Sequence, residues 1–133
     1  MSLAPYAAQT KGILVRVTPR YLPEQSDPDA HRWVFAYEVE IVNASSEAVT
    51  LLRRRWVITD GVGRVEIVEG EGVVGQTPTI LPGDAYAYAS GCPLRTSSGA
   101  MVGTYGMRTA SGRPLEVDIP AFSLDAPARR TVN

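Results

Sequence analysis

GEGVVGQTPTILPGD, residues 70–84, is the stretch on which the fold turns. Its first six residues match G-x-G-x-x-G, the pattern of loops that cradle phosphates. The dinucleotide version needs a strand before the glycines and a helix directly after them, so that helical amides and the helix dipole face the pyrophosphate. Here Pro78 and Pro82 follow the glycines and forbid an ordinary helix interior. The preceding RVEIVE (64–69) alternates charged and apolar residues, unlike the continuous apolar run of a parallel strand buried on both faces. Roughly 20 positions on, where an acidic residue would hold the ribose, the chain has Arg95. A Walker loop needs Gly-Lys-Ser/Thr, but Gly75 precedes Gln76. A kinase loop needs a lysine on a later strand, and the only lysine, Lys11, lies upstream. Extended chain on both sides of the glycines is the reading that remains.

Working outward, the same period-two pattern recurs. Ile13, Val15 and Val17 alternate with Arg16 and Thr18, and Pro19 and Pro23 end that run. In WVFAYEVEIVN (33–43), Phe35, Tyr37, Val39 and Ile41 share a face opposite Glu38 and Glu40. VTLLRRRWVITD (49–60) places Leu52, Trp56 and Ile58 on one parity and Arg53 and Arg55 on the other. GVG (61–63) turns the chain into RVEIVE. Pro82-Gly83 fits a type II turn before Tyr86 and Tyr88, which alternate with alanines. AMVGTYGMRT (100–109) and PLEVDIPAF (114–122) complete the set. Seven to eight short strands, turn signals between them and no 3.6-residue period describe an all-β antiparallel β-sandwich, with a barrel as second choice. Residues 1–11 read as a flexible N-terminus, 12–124 as one domain and 125–133 as a flexible tail.

Composition narrows the function. A 133-residue chain with 13 basic and 14 acidic side chains carries a net charge of −1, which is no electrostatic footprint for nucleic acid or anionic membrane. Cys92 is the only cysteine, so no internal disulfide forms, and that suits a reducing cytosol. MSLAPYAAQT lacks the basic flank and long apolar run of a signal peptide. No apolar run is long enough to span a membrane as a helix.

Candidate sites are few. Gly70, Gly72 and Gly75 serve either as backbone positions needing positive φ or close approach, or as an open nest of amides for a phosphate, helped by Arg53 and Arg55. The first reading is favoured, because glycine turns are common in sandwiches. Asp27, Asp29 and His31 have an i, i+2, i+4 spacing for a divalent ion, but Asp and Pro more often mark a solvated loop. A transition-metal site wants more nitrogen or sulfur donors than one histidine and one cysteine supply. Cys92 and His31 are the only Cys–His pair, nothing local aligns them, and Cys92 reads as a small apolar core residue. The Arg53-Arg54-Arg55 block reads as a solvated face, with one arginine covering the core edge by its stem.

The run LLRRRWVITDGVGRVEIVEGEGVVG (51–75), with PGD (82–84), YASG (88–91), GAMVGTYGM (99–107), IPAF (119–122) and QSDPDAHRWVFAY (25–37), closely resembles the ApaG family. The likeness spans residues 12–124. It implies a fibronectin type III-like and immunoglobulin-like sandwich in a small bacterial cytoplasmic protein. The family's name is tied to cobalt and magnesium efflux or tolerance and to genetic proximity to diadenosine tetraphosphate hydrolysis. Related eukaryotic domains sit in F-box and polymerase-interacting proteins, where protein binding is the natural role. The family has no agreed catalytic residues to carry over. Its glycine motif matches at Gly70, Gly72 and Gly75, and Arg55 stands where relatives often have His or Tyr. The expectation is therefore a non-enzymatic module, without a cofactor, that binds an unidentified protein partner. An anion or polyphosphate sensor using the 70–75 loop, or a weak divalent-cation site, are the alternatives, and a homo-oligomer stays open. With no membrane span, an effect on ion efflux has to run through contact with another protein.

Overall fold

The computed structural model describes residues 6–127. Nine strands follow one another: β1 (Tyr6–Thr10), β2 (Ile13–Tyr21), β3 (Trp33–Asn43), β4 (Val49–Asp60), β5 (Val65–Glu71), β6 (Thr79–Ile80), β7 (Ala85–Leu94), β8 (Ser98–Thr109) and β9 (Pro114–Asp125). Two short 3-10 turns, Pro23–Gln25 and Pro28–Ala30, lie between β2 and β3, and no α-helix occurs among the described residues. One sheet has the order β1-β2-β3-β7, and the other β5-β4-β8-β9 with β6 also on β4. Every strand pair is antiparallel. This is the expected sandwich, with strands β1 and β6 beyond those read from the sequence.

The start of the chain differs from expectation. Tyr6–Thr10, inside the segment read as flexible, pairs along β2 from Tyr6↔Val17 to Thr10↔Ile13. Lys11 and Gly12 turn the hairpin with φ of 46° and 85°, the left-handed pair a two-residue hairpin requires. At the other end β9 runs to Asp125, and the Ala126 amide donates to the Ser97 carbonyl at 2.8 Å. The tail reading for 128–133, and the flexible reading for 1–5, fall outside the described residues.

The core lies between the sheets. Ile13, Val15, Val17, Phe35, Tyr37, Val39 and Ile41 face Leu51, Trp56, Met101, Tyr105, Val117, Ile119 and Phe122. Trp56 anchors it, with ring centroids 5.3 Å from Tyr37 and 5.9 Å from Phe122, both edge-on. Such aromatic pairs add roughly 0.5–1.5 kcal/mol beyond area burial. Gly103 sits under the indole; a Cβ there would lie 2.2 Å from the Arg55 carbonyl oxygen.

Two bulges reset the alternation. On β4 the register slips between Leu51 and Arg53, so Leu51 is buried and Leu52 only partly, contrary to the parity read from the sequence. An extra residue opposes one on the partner there, and side chains beyond it change face. On β9 the slip falls beside Pro120, which cannot donate to a ladder.

The two flanks of the sandwich differ. On one, β9 packs across β1 and β2, with the Tyr6 hydroxyl 2.9 Å from the Ser123 hydroxyl and the Tyr6 ring against Phe122. On the other, β5 and β7 are the outermost strands of their sheets.

Candidate functional site

The glycine loop folds back on itself. Val73 and Gln76 exchange amide-to-carbonyl hydrogen bonds of 2.8 and 2.9 Å. Val74 and Gly75 make the turn between them with φ of 43° and 79°. The Gly72 amide donates to the Leu52 carbonyl at 2.8 Å, and Gly70 pairs with Arg54 in the β4–β5 ladder. Val73 is fully buried beneath the turn. The amides at Gly72 and Val73, which an anion nest would need, thus donate to carbonyl oxygens of the protein.

Each glycine has a separate reason to be one. Gly72 adopts φ of +60°, and a Cβ on it would lie 2.1 Å from the Gln76 carbonyl oxygen. A Cβ on Gly70 would lie 2.8 Å from the Arg54 guanidinium. Gly75 needs only its positive φ, since nothing lies within 4 Å of where its Cβ would be. Sequence reading of the arginine block centred on Arg53 and Arg55 and missed the part Arg54 plays here. Its Nη1 donates to the carbonyls of Glu71 and Gly72, both at 2.9 Å. The signal was present: a hairpin turned at 61–63 sets Arg54 opposite Gly70.

Arg53 and Arg55 lie on the outer face of the five-stranded sheet, in an open trough of about 760 Å³ lined also by Glu69, Glu71, Thr104 and Glu116. The rows run Glu71–Arg53–Gly106–Glu116 and Glu69–Arg55–Thr104–Asp118. Arg55 Nε pairs with Glu69 at 3.1 Å, both side chains exposed. Arg53 lies over Gly106, whose Cβ would be 3.2 Å from Nε. In these two rows Arg53 and Arg55 are thus flanked by the carboxylates of Glu69, Glu71, Glu116 and Asp118, and Arg54 also borders the trough. The next row, Ile67–Val57–Val102, is apolar, and Val65 lies beyond it. Val65, Ile67 and Val102 are 60%, 53% and 42% exposed.

Asp27, Asp29 and His31 occupy the second 3-10 turn and its flanks. The Asp27 and Arg32 backbones bond to each other, and His31 turns the chain with φ of 54°. Among the described residues no group of three or more His, Cys, Asp or Glu side chains is placed to hold a metal ion. The His31 ring lies 6.3 Å from Trp33. Asp29 borders a groove of about 560 Å³ with Tyr21, Pro23, Pro28 and Trp33.

The single thiol and three of the phenols are withdrawn from solvent. Cys92 is buried, and desolvation, with Glu66 nearby, pushes its thiol up to about 11. Tyr37, Tyr88 and Tyr105 are all raised above the ordinary phenol range, first of all by burial. The Tyr88 and Tyr105 hydroxyls hydrogen-bond to each other between the sheets. Glu47 is lowered by hydrogen bonds from the Ser111 hydroxyl and amide.

Fold and surface together define a small antiparallel β-sandwich with a buried thiol, a self-closed glycine hairpin and one sheet face of mixed charged and apolar residues. The model of the ApaG domain matches residues 23–109. Proteins named ApaG from Brucella canis and Mesorhizobium japonicum are each 56% identical over 129 residues, covering 96% of this chain and 99% of the relative. A crystal structure of an ApaA protein from Bordetella pertussis superposes with a TM-score of 0.85 at 47% identity, covering 96% of this chain and all of that one. The chain belongs to the ApaG domain family.

Proposed function

We propose that this chain is a non-catalytic binding module that holds a protein partner on the outer face of its five-stranded sheet. The observation that carries the reading is the apolar row Ile67–Val57–Val102, with Ile67 and Val102 exposed and Val57 half-buried, set beside a rim of charged residues. Clustered exposed apolar side chains bordered by charge are the anatomy of a protein interface. The withdrawn Cys92 thiol supports the non-catalytic part, since a reactive cysteine needs a lowered pKa and access. An effect on cobalt or magnesium tolerance, and work in the cytoplasm, fit a module that acts through its partner.

The test is capture from cell extract, followed by reconstitution of the binary complex from purified components. Val102→Glu puts a charge in the centre of the face without touching the core. The expected result is a complex weakened at least about tenfold, the scale of truncating an interface residue near a hot spot. Partner binding that ignores Val102→Glu, or turnover of a defined substrate by the purified chain, would overturn the proposal.

A further inference from the structure

We propose that the free edge of β5 accepts an extended, basic segment of the partner as an added antiparallel strand. This rests on the binding-module reading and narrows it to one edge and one partner chemistry.

Backbone geometry comes first. The Gly72 amide bonds to Leu52, and the Asp60 amide to Arg64. In an antiparallel ladder, hydrogen-bonded pairs alternate with non-bonded ones. The pairs Arg54/Gly70, Trp56/Val68 and Ile58/Glu66, which lie between those two, are therefore the bonded ones. Val65, Ile67, Glu69 and Glu71 turn their N–H and C=O groups the other way. Among the described residues β5 pairs only with β4, so that second row faces outward. The Glu71 carbonyl is taken by Arg54; the others stay available to an incoming strand.

Side chains then set the partner's chemistry. The same four residues point onto the outer face, two apolar and exposed, two acidic. Glu69 is shared with Arg55, whereas among the described residues no side-chain bond involves Glu71. An antiparallel strand opposite Glu71, Glu69, Ile67 and Val65 fits best when it reads K-x-K-x-Φ-x-Φ, with Φ apolar, because opposite charges and apolar pairs across a ladder both stabilise. A second copy of this chain fits badly. Self-pairing centred on Ile67, Val68 or Glu69 sets a carboxylate against an apolar side chain or another carboxylate. Acidic side chains on an edge are a device against that pairing, and here they also select a cationic strand. Strand addition is an established mode in which main-chain bonds supply affinity and alternate side chains supply choice.

The experiment titrates the full ¹⁵N-labelled chain with a hairpin peptide whose free strand reads Lys-Thr-Lys-Thr-Val-Thr-Val; closing the hairpin removes much of the ordering cost. The expected result is amide shifts and slowed exchange at Val65, Ile67, Glu69 and Glu71. A peptide with Glu in place of Lys binds at least about fivefold more weakly at low salt, and the gap narrows as salt rises. Ile67→Pro removes an outward N–H while leaving the β4 ladder intact, a placement sheets tolerate, and it abolishes the shifts. Should that variant not fold, Glu69→Lys/Glu71→Lys reverses the peptide preference instead. Equal affinity for both peptides, shifts on another strand, β5-dependent self-association, or no shift at about 1 mM peptide each overturns the inference. If Val102→Glu still disrupts a reconstituted partner complex, the binding-module reading survives that failure.

Discussion

Alanine at each glycine of the 70–75 loop separates a structural motif from a phosphate site. Gly75→Ala meets no neighbour and pays only for its φ of +79°. Left-handed backbone costs a non-glycine residue about 1–2 kcal/mol, and stiffening the unfolded chain returns about 0.4–1, leaving a net loss near 1 kcal/mol. Gly70→Ala displaces the Arg54 guanidinium from 2.8 Å. Losing its two bonds to the Glu71 and Gly72 carbonyls, at a half-exposed position, costs about 2 kcal/mol. Gly72→Ala combines positive φ with a contact of 2.1 Å to the Gln76 carbonyl, and neither atom is on a flexible side chain. The Val73–Gln76 hairpin has to open, at about 0.5–1.5 kcal/mol for each of two hydrogen bonds. Opening also uncovers Val73, whose full burial is worth up to about 2 kcal/mol. With the backbone strain, about 3–5 kcal/mol is lost. Urea denaturation followed by the fluorescence of the two tryptophans, Trp33 and buried Trp56, gives the three values directly. The expected order is Gly72→Ala, then Gly70→Ala, then Gly75→Ala, unchanged by added polyphosphate. A Gly72→Ala value within about 1 kcal/mol of Gly75→Ala would refute the close-packed reading of the loop.

Other outcomes follow from single residues. Val74→Asn creates Asn-Gly, the favoured pair for this turn, and should raise stability by about 1 kcal/mol, because a β-branched residue at positive φ is strained; a lower urea midpoint than wild type contradicts this. Asn43 is the one buried polar residue among those described, and its amide nitrogen donates to the Glu47 and Ile80 carbonyls at 2.8 and 2.9 Å. Asn43→Ala leaves both carbonyls without that donor and should cost about 2–4 kcal/mol by the same urea assay. At alkaline pH the folded thiol of Cys92, at about 11 against an ordinary 9.0, keeps its proton longer than the unfolded one. Its contribution is complete below pH 9.0 and lost as pH rises toward about 11, a loss of about 2–3 kcal/mol. Tyr37, Tyr88 and Tyr105 add to that loss above pH 10, since their folded pKa values are also raised. The tyrosinate absorbance contributed by these three residues should therefore rise in step with the loss of near-ultraviolet circular dichroism, and full ionisation of a still-folded chain would contradict it.

Most of the sandwich is legible in the sequence because period-two alternation is a direct print of one wet face and one dry face. That holds for Ile13–Val17 and for Phe35–Ile41. It fails where an extra residue enters a ladder. Leu51 and Leu52 are equally apolar, and only the bulge, set by pairing with Met107 and Gly106, decides which is buried. β1 was missed because Tyr6–Thr10 is short and weakly alternating; its strand character comes from β2 and β9, not from itself. The trough was half legible. Arg53 and Arg55 stand out as a charge block, but the carboxylates around them come from β5 and β9, distant in sequence. Arg54 looks like its neighbours until the hairpin register places it over Gly70.

The contact between the Tyr6 and Ser123 hydroxyls joins the first and last strands of the described sandwich at one flank. Entry and exit points that lie side by side let a domain be spliced into a surface loop of a host with little loop-closure entropy. The free edges of β5 and β7 lie on the opposite flank, clear of such a junction. A grafted copy would therefore keep both sheet edges exposed in the chimera, as an exchangeable cassette.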